Sequence, residues 1–490
     1  MPFMNRRDFL KHAGYGSALS LGYGIAHKTN HANANSLTRP PNFVFILCDD
    51  LGWADLPCYG HRNVRAHGGW IVRGELKMPN LDRMAREGRL FSQFYVASAV
   101  CSPSRTGIMT GRFPSELAIH DYLAGPDLNR ERGMPDFVDP STMTMTRLLK
   151  DAGYTTAHFG KWHLSGNRIT TAPSPEVYGI DRYESCLNGP GKRPGSTEMI
   201  TDKTIAFIDE HRDSPFFVNA WLYDPHSPLH PTAEQLKPYE NLSPRWGDNK
   251  GALQVWYAVL SNIDRHVGRI IDRLDELGLS DNTIVVFTSD NGPETGLIPF
   301  ISHYGGASST DTGPFRGIKR SLYEGGIREP FIVRCPGTVP SGTVDNDTVI
   351  GGVDMLPTIC SLAGAPITNN PALDGENMAM ALKGTTQRKA KPLMWENRFP
   401  VYGHVIHMSP MLAIRDGDWK LLINPDRDRI ELYNIPVDPT ELDNLASHRP
   451  DVVERLAHLL LTWSDTLPEG PINPNAGSNA YPWPQPTNND

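Results

Sequence analysis

Two clusters of oxygen ligands sit directly after apolar runs in this chain. Asp49-Asp50 follow the run Phe43–Cys48. Adjacent carboxylates repel, so a cation is their natural neutraliser, although an isolated Asp-Asp pair also reads as a loop start or helix cap. Ser289-Asp290-Asn291-Gly292 follow a second run, Thr283–Thr288. Alone they read as a turn. Together the clusters offer three carboxylates and one amide, a hard ligand set suited to Ca2+ or Mg2+ rather than zinc.

Cations and one thiol recur in the same kind of place. Cys101-Ser102-Pro103-Ser104-Arg105 opens a helix-like run that ends at Gly111-Arg112. Proline is tolerated in a first helical turn. A thiol at a helix N-terminus has a depressed pKa and can serve as a nucleophile. Arg105 lies one turn on and could face the same ligand. Gly160-Lys161-Trp162-His163 follow the run Thr155–Phe159. On extended backbone, residues i and i+2 point the same way, so Lys161 and His163 could aim at one point. Asp224-Pro225-His226-Ser227-Pro228 holds an imidazole on backbone stiffened by proline. Lys319 follows Arg316-Gly317-Ile318. Taken singly, each of these reads as ordinary surface or structure.

These groups need elements to position them. The runs named above, with Phe216–Leu222 and Phe331–Arg334, read as short strands buried on both faces, as in a parallel sheet. Helical patterns separate them. One covers Leu81–Gly88 behind Asn80 as N-cap, and another Thr142–Ala152 before Gly153. The longest, Gln254–Leu277, puts Val255, Val259, Ile263, Val267, Ile270, Ile271 and Leu274 on one stripe. Alternating strands and helices predict an α/β layered domain. Ligands bind outside the carboxyl ends of parallel strands, so all five polar segments are expected to converge there. After residue 385 the pattern changes. Trp419–Ile423 and Ile430–Tyr433 read as an antiparallel hairpin, followed by a helix over Val452–Trp463. The predicted boundaries are therefore 35–384 for a catalytic domain, 385–467 for a small C-terminal α+β subdomain, and 468–490 for an extended tail. Residues 61–77 read as a loop insertion.

The 490 residues carry a net charge of −8. That balance disfavours nucleic acid and anionic membranes as partners. Asn5-Arg6-Arg7-Asp8-Phe9-Leu10-Lys11 resembles a twin-arginine export signal, followed by a Gly/Ala-rich stretch and Ala32-Asn33-Ala34 as a cleavage site. Residues 1–34 are expected to be removed on export to a bacterial periplasm. No other segment has the ~20 apolar residues of a membrane span. Nothing in the sequence sets an oligomeric state. The six cysteines, Cys48, Cys58, Cys101, Cys186, Cys335 and Cys360, include no C-x-x-C pair, which argues against a zinc or redox motif.

In order and type, the motifs resemble the formylglycine-dependent type I sulfatases of the alkaline phosphatase superfamily. The resemblance runs from about residue 40 to 465. It rests on Asp49-Asp50, Pro79-Asn80-Leu81-Asp82, Cys101-x-Pro103-Ser104-Arg105, Gly160-Lys161-x-His163 and Pro225-His226-x-Pro228. It continues in Ser289-Asp290-Asn291-Gly292, Gly317-x-Lys319, Glu324-Gly325-Gly326-x-Arg328-x-Pro330, Leu432-Tyr433, Asp438-Pro439-x-Glu441 and Asn444-Leu445. The resemblance implies an alkaline-phosphatase-like sandwich with a large, mostly parallel sheet flanked by helices, plus a C-terminal subdomain with an antiparallel sheet. It implies that a maturation enzyme oxidises Cys101 to formylglycine (3-oxoalanine), whose hydrate is the nucleophile. Asp49, Asp50, Asp290, Asn291 and the modified residue 101 would hold a divalent cation, Ca2+ before Mg2+. Arg105 and Lys161 would hold the formylglycine hydroxyls. Lys319 and His226 would contact sulfate, one of them protonating the leaving oxygen. His163 would act as base, and Asp290 would take a proton in the first attack. The substrate would be a sulfated carbohydrate, with His230, His303 and residues 61–77 as groups that could shape its pocket. Three other readings compete. A phosphatase or phosphonate monoester hydrolase of the superfamily generally carries Ser or Thr as nucleophile. A lectin-like glycan binder has no need of Cys101. A thiol hydrolase would not need a metal.

Overall fold

A computed structural model of the chain describes residues 39–60, 76–167, 169–185, 194–241, 252–294, 312–367 and 373–478, and the backbone of 64–67 and 70–73. The expected signal peptide and His303 lie outside these residues.

Every apolar run named above becomes a strand, and four further strands join the same sheet. In chain order the strands are β1 (Asn42–Cys48), β2 (Val64–His67), β3 (Trp70–Arg73), β4 (Arg89–Tyr95), β5 (Thr155–Gly160) and β6 (Arg182–Glu184). They continue with β7 (Phe216–Trp221), β8 (Thr283–Ser289), β9 (Arg328–Arg334), β10 (Thr343–Asp345) and β11 (Ile350–Gly351). A nine-stranded sheet has the order β10-β4-β9-β8-β1-β7-β5-β6, with β11 also on β4. β9 is antiparallel to both its neighbours, β4 and β8; the other pairings in the sheet are parallel. The run at 331–334 thus belongs to a reversed strand that begins earlier, at Arg328. Its reversal brings Glu324–Arg328 to the edge where β8 ends. Residues 61–77, expected as a loop, hold the antiparallel pair β2–β3.

Side-chain alternation splits the core between the two faces of the sheet. Phe43, Phe45 and Leu47 of β1 join one cluster, which also takes Ile108 and Met109 of the helix Cys101–Thr110. Val44, Ile46 and Cys48 join the other, with Val255, Val259, Ile263, Val267, Ile270, Ile271 and Leu274 of the helix Ala252–Glu276. The predicted stripe is therefore the buried one. The helix Met145–Asp151 ends before Gly153, which takes a φ of +90°.

The helix expected behind Asn80 starts two residues earlier, over Pro79–Glu87, and Asn80 does not cap it. Asp264 of the long helix does. Its carboxylate accepts from the N–H groups of Asn80 (3.0 Å) and Leu81 (2.8 Å) and from Asn80 Nδ2 (2.9 Å). A cap supplied from another helix carries no local signal.

The C-terminal region forms a four-stranded antiparallel sheet of β12 (Leu393–Glu396), β13 (Leu412–Asp416), β14 (Trp419–Ile423) and β15 (Ile430–Asn434). The helix Pro450–Ser464 packs on it through Val452, Val453, Leu456 and Leu460. Residues 468–478 dock back on the protein, with Arg398 donating to Pro468 and Arg429 to Ser478. Buried ions tie this sheet to the large one. Lys420 Nζ on β14 lies 3.0 Å from Glu324 Oε1 and 2.8 Å from Glu441 Oε1. Glu324 also accepts from Tyr95 Oη of β4 at 2.7 Å. Burial opposes its ionisation, but Lys420, Arg328 and Arg415 outweigh that and hold its pKa at about 2. A depressed carboxyl pKa contributes stability above the unfolded value that is lost as pH falls toward the folded one. Replacing Lys420 with Ala removes the cation paired with buried Glu441 and the first of the three that hold Glu324. We expect Lys420→Ala to cost about 3–5 kcal/mol, read as a lowered Tm at pH 7.

Candidate active site

Strand register sets the site. Cys48 lies opposite Ser289, Leu47 opposite Trp221, and Gly160 opposite Trp221. β1, β5, β7 and β8 therefore end level, and Asp49-Asp50, Lys161, the Leu222–His226 loop and Asp290-Asn291 leave the sheet side by side. Asp50 takes a φ of +68°, a region aspartate tolerates better than most residues. Asp49 N–H donates to Asp224 O at 3.2 Å, and Leu51 N–H to Ser289 Oγ at 3.0 Å, which pins the turn.

Each carboxylate meets a cation. Lys161 Nζ lies 2.6 Å from Asp49 Oδ2 and Lys319 Nζ 2.6 Å from Asp50 Oδ1. Arg105 donates through Nε (2.8 Å) and Nη2 (2.6 Å) to Asp290 Oδ2 and through Nη1 to Lys161 O at 2.8 Å. Its guanidinium stands 5.1 Å from the Trp221 ring centroid. Asp290 Oδ1 accepts from Asp50 N–H at 3.2 Å. Burial opposes ionisation of Asp49, yet Lys161, His226 and Arg105 hold it well below the usual range. At Asp290 burial wins over Arg105 and pushes the carboxyl up to about 8.

Asn291 Nδ2 donates to Asp50 Oδ1 at 2.7 Å, while its Oδ1 is buried without a hydrogen-bond partner. Ligand atoms of Asp49, Asp50 and His226 lie within 4.8 Å of one another. An orphaned amide oxygen among three carboxylates is the donor chemistry of a hard divalent cation. His226 Nε2 is 3.7 Å from Asp50 Oδ2, and burial pushes its pKa down to about 4.

The Cys101–Thr110 helix is buried along its whole length, and Cys101 is its first residue. The thiol lies within electrostatic reach of Arg105, Lys161 and Lys319. The expectation of an extended Lys161–His163 segment is not met, because His163 takes a φ of +56°. Lys161 turns to Asp49, while His163 Nε2 contacts Leu123 O at 3.1 Å. A carbonyl only accepts, so Nε2 carries the proton and Nδ1 holds a lone pair. Nδ1 is buried and unpartnered. Burial, then Lys161 and Arg105, push the His163 pKa well down, so the ring is neutral. The sequence reading missed Ser102 Oγ, Leu123 O, Asp224 O and Ser289 Oγ as supports of the site. Backbone carbonyls and serines carry no distinguishing pattern. His230 lines a separate small cavity with Thr197 and Asp224.

Residues 41–365 match the family model for sulfatases. The chain belongs to the sulfatase family. As a sulfatase it is a hydrolase of sulfate esters, and residues 315–464 match the model for the C-terminal part of N-sulphoglucosamine sulphohydrolase. It is 26% identical to an N-acetylgalactosamine-6-O-sulfatase of Bacteroides thetaiotaomicron, over 90% of this chain and 96% of that protein. It is 32% identical to the N-acetylgalactosamine-6-sulfatase of Homo sapiens, over 71% and 67% of the two chains. The fold is shared with Ps i-CgsB, crystallised with k-i-k-neocarrahexaose (TM-score 0.71, 24% identity, 90% of this chain and 96% of that one). It is also shared with the phosphonate monoester hydrolase of Agrobacterium radiobacter (TM-score 0.61, 18% identity, 87% and 96%).

Gly160 is the hinge on which this sulfatase places Lys161. Its φ is +109°, and a Cβ there would stand 1.9 Å from Trp221 O. Gly160→Ala is expected to cost about 3 kcal/mol in thermal unfolding and to lower sulfate release in parallel.

Proposed function

We propose that this sulfatase removes sulfate from sulfated carbohydrates outside the cytoplasm, with Cys101 matured to formylglycine by a dedicated enzyme. The observation that carries the reading is the cluster of Arg105, Lys161 and Lys319 around the start of the helix that bears Cys101, level with Asp49, Asp50, Asp290 and Asn291. The sulfated-sugar specificity of the galactosamine sulfatases that resemble this chain supports the substrate class. The twin-arginine pattern at residues 5–11 supports export to the periplasm. No helix among the described residues is long and apolar enough to cross a membrane.

Formylglycine at position 101 would supply a hydrated aldehyde as nucleophile, and a divalent cation, Ca2+ or Mg2+, held by Asp49, Asp50, Asp290, Asn291 and residue 101, would polarise the ester. The remaining work falls to encoded side chains. Arg105 is locked by Asp290 and the Lys161 carbonyl, so its charge is preorganised beside residue 101. Lys161 and Lys319 keep their protons: burial opposes the ammonium, but Asp49 at Lys161 and Asp50 at Lys319, together with the other negative groups nearby, outweigh it. Their ammonium groups would neutralise charge on the sulfuryl oxygens. His226 shares the Lys319 side of the site, and one of these two hands a proton to the leaving oxygen. Neutral His163 holds an open proton-accepting site at Nδ1. Asp290 has the raised pKa of a group that can take and return a proton.

The test of the activity is sulfate release from defined sulfated mono- and oligosaccharides, beside 4-nitrophenyl sulfate and 4-nitrophenyl phosphate. Sulfate release with negligible phosphate release is expected; preference for the phosphate overturns the reading. Two further outcomes need no turnover. Intact mass of protein made with the maturation system should fall about 18 Da below the Cys101 form, set by atom masses alone; a host lacking that system should give folded, inactive protein. Saturating Ca2+ should raise Tm by about 5 °C, and Asn291→Ala should abolish the shift.

A further inference from the structure

A cavity of about 430 Å³ lies beside the reacting centre, and its walls include Asp121, Tyr122, Arg132, Arg320, Phe399 and Tyr402. One connection ties those walls to the helix that carries Cys101, a second to Ala99 just before it, and a third ties the walls to each other. Tyr122 precedes Leu123, whose N–H donates to Ser102 Oγ at 2.9 Å and whose carbonyl holds His163. Arg320 follows Lys319, and its N–H donates to Ala99 O at 2.8 Å. Asn397 Nδ2 donates to Arg320 O at 2.7 Å, and Asn397 Oδ1 accepts from Phe399 N–H at 3.2 Å. A group seated here is adjacent to one held by Lys319 and residue 101.

The chemistry of the walls selects the occupant. The Arg132 guanidinium lies between the rings of Tyr122 and Phe399, 4.4 and 5.2 Å from their centroids, and pairs with Asp121 at 3.1 Å. Arg320 lies 5.0 Å from the Tyr402 centroid and pairs with Glu294. Each cation thus already has its carboxylate. With Glu131 also in the wall, the cavity offers no surplus positive charge for a second anion. Tyr402 leaves 48% of its surface exposed, a large aromatic face kept in water. Aromatic faces stack on the C–H faces of a pyranose, while paired polar groups bridge its hydroxyls; a free sulfate or carboxylate gains little from cations that are already neutralised.

We propose that this cavity binds an uncharged sugar ring linked to the sulfated one, so that the enzyme selects oligosaccharides over sulfated monosaccharides. The proposal rests on the sulfated-carbohydrate reading above and extends it to the neighbouring residue of the glycan.

The test compares free N-acetylgalactosamine 6-sulfate with galactosyl-N-acetylgalactosamine 6-sulfate, and galactose 4-sulfate with neocarratetraose sulfate, so that the ring beside the sulfated one is uncharged in both longer substrates. The measure is the ratio of kcat/KM on the longer substrate to that on the shorter. A ratio of about ten or more is expected for the pair that is turned over, and Tyr402→Ala and Phe399→Ala should bring it toward one. Tyr402 is half exposed, so its truncation does not threaten the fold. A wild-type ratio near one, or variants that lose equally on both lengths, overturns the proposal. Absence of sulfate release from every probe counts against the parent reading instead. In that case calorimetry with sulfate-free neocarratetraose decides: binding that Tyr402→Ala abolishes supports the cavity, and no binding by the wild type overturns it.

Discussion

Asp49, Asp50 and Asp290 are buried, and each is held by a cation: part-buried Lys161 and buried Lys319 and Arg105. Charges in an interior are tolerated only when paired and hydrogen-bonded, since losing one partner leaves the other uncompensated. The six side chains come from segments spread between residues 49 and 319, so the pairing demands that distant strand ends be level. The parallel register of β1, β5, β7 and β8 meets that demand. The apolar clusters on the two faces of the sheet keep the register from slipping, because a one-residue shift would turn every buried side chain of β1 to the wrong face.

The same logic explains the second sheet. Lys420 holds Glu324 and Glu441 where β9 begins, and β9 runs against its neighbours. The reversal places Gly325 and Gly326 against the Asp290–Gly292 turn, where Gly292 N–H donates to Gly326 O at 3.1 Å. A Cβ on Gly292 would stand 2.3 Å from Gly325 O, so two backbones meet there with no room for side chains. The C-terminal sheet therefore acts on the candidate site through the strand next to it. It also supplies Phe399 and Tyr402, which follow β12 and line a cavity with Arg320, the neighbour of Lys319.

Much of this was legible before any coordinates. Asp49-Asp50 and Asp290-Asn291 followed apolar runs, and strand ends are where a parallel sheet presents ligands. Cys101 with Pro103 marked a helix start. Other features left no local trace. Asp264 caps a helix from a segment more than 180 residues away, so Asn80 took the role on paper. The positive φ of His163 separates two side chains that a simple i, i+2 rule would align. The run at 331–334 reads equally well in either strand direction, since burial on both faces does not encode orientation.

The sequence by itself determined which chemistry was available: hard oxygen ligands, three long cations, one cysteine in a motif that resembles the sulfatase signature, and strands apolar enough to be buried on both sides. Those are properties of residue type and short-range order. Tertiary structure alone decided which cation answers which carboxylate, that Asn291 keeps one oxygen unpartnered, that His163 is neutral with its lone pair on Nδ1, and that an aromatic cavity adjoins the site. Each of these depends on distances between segments far apart in the chain, which strand register and packing set and no local pattern records.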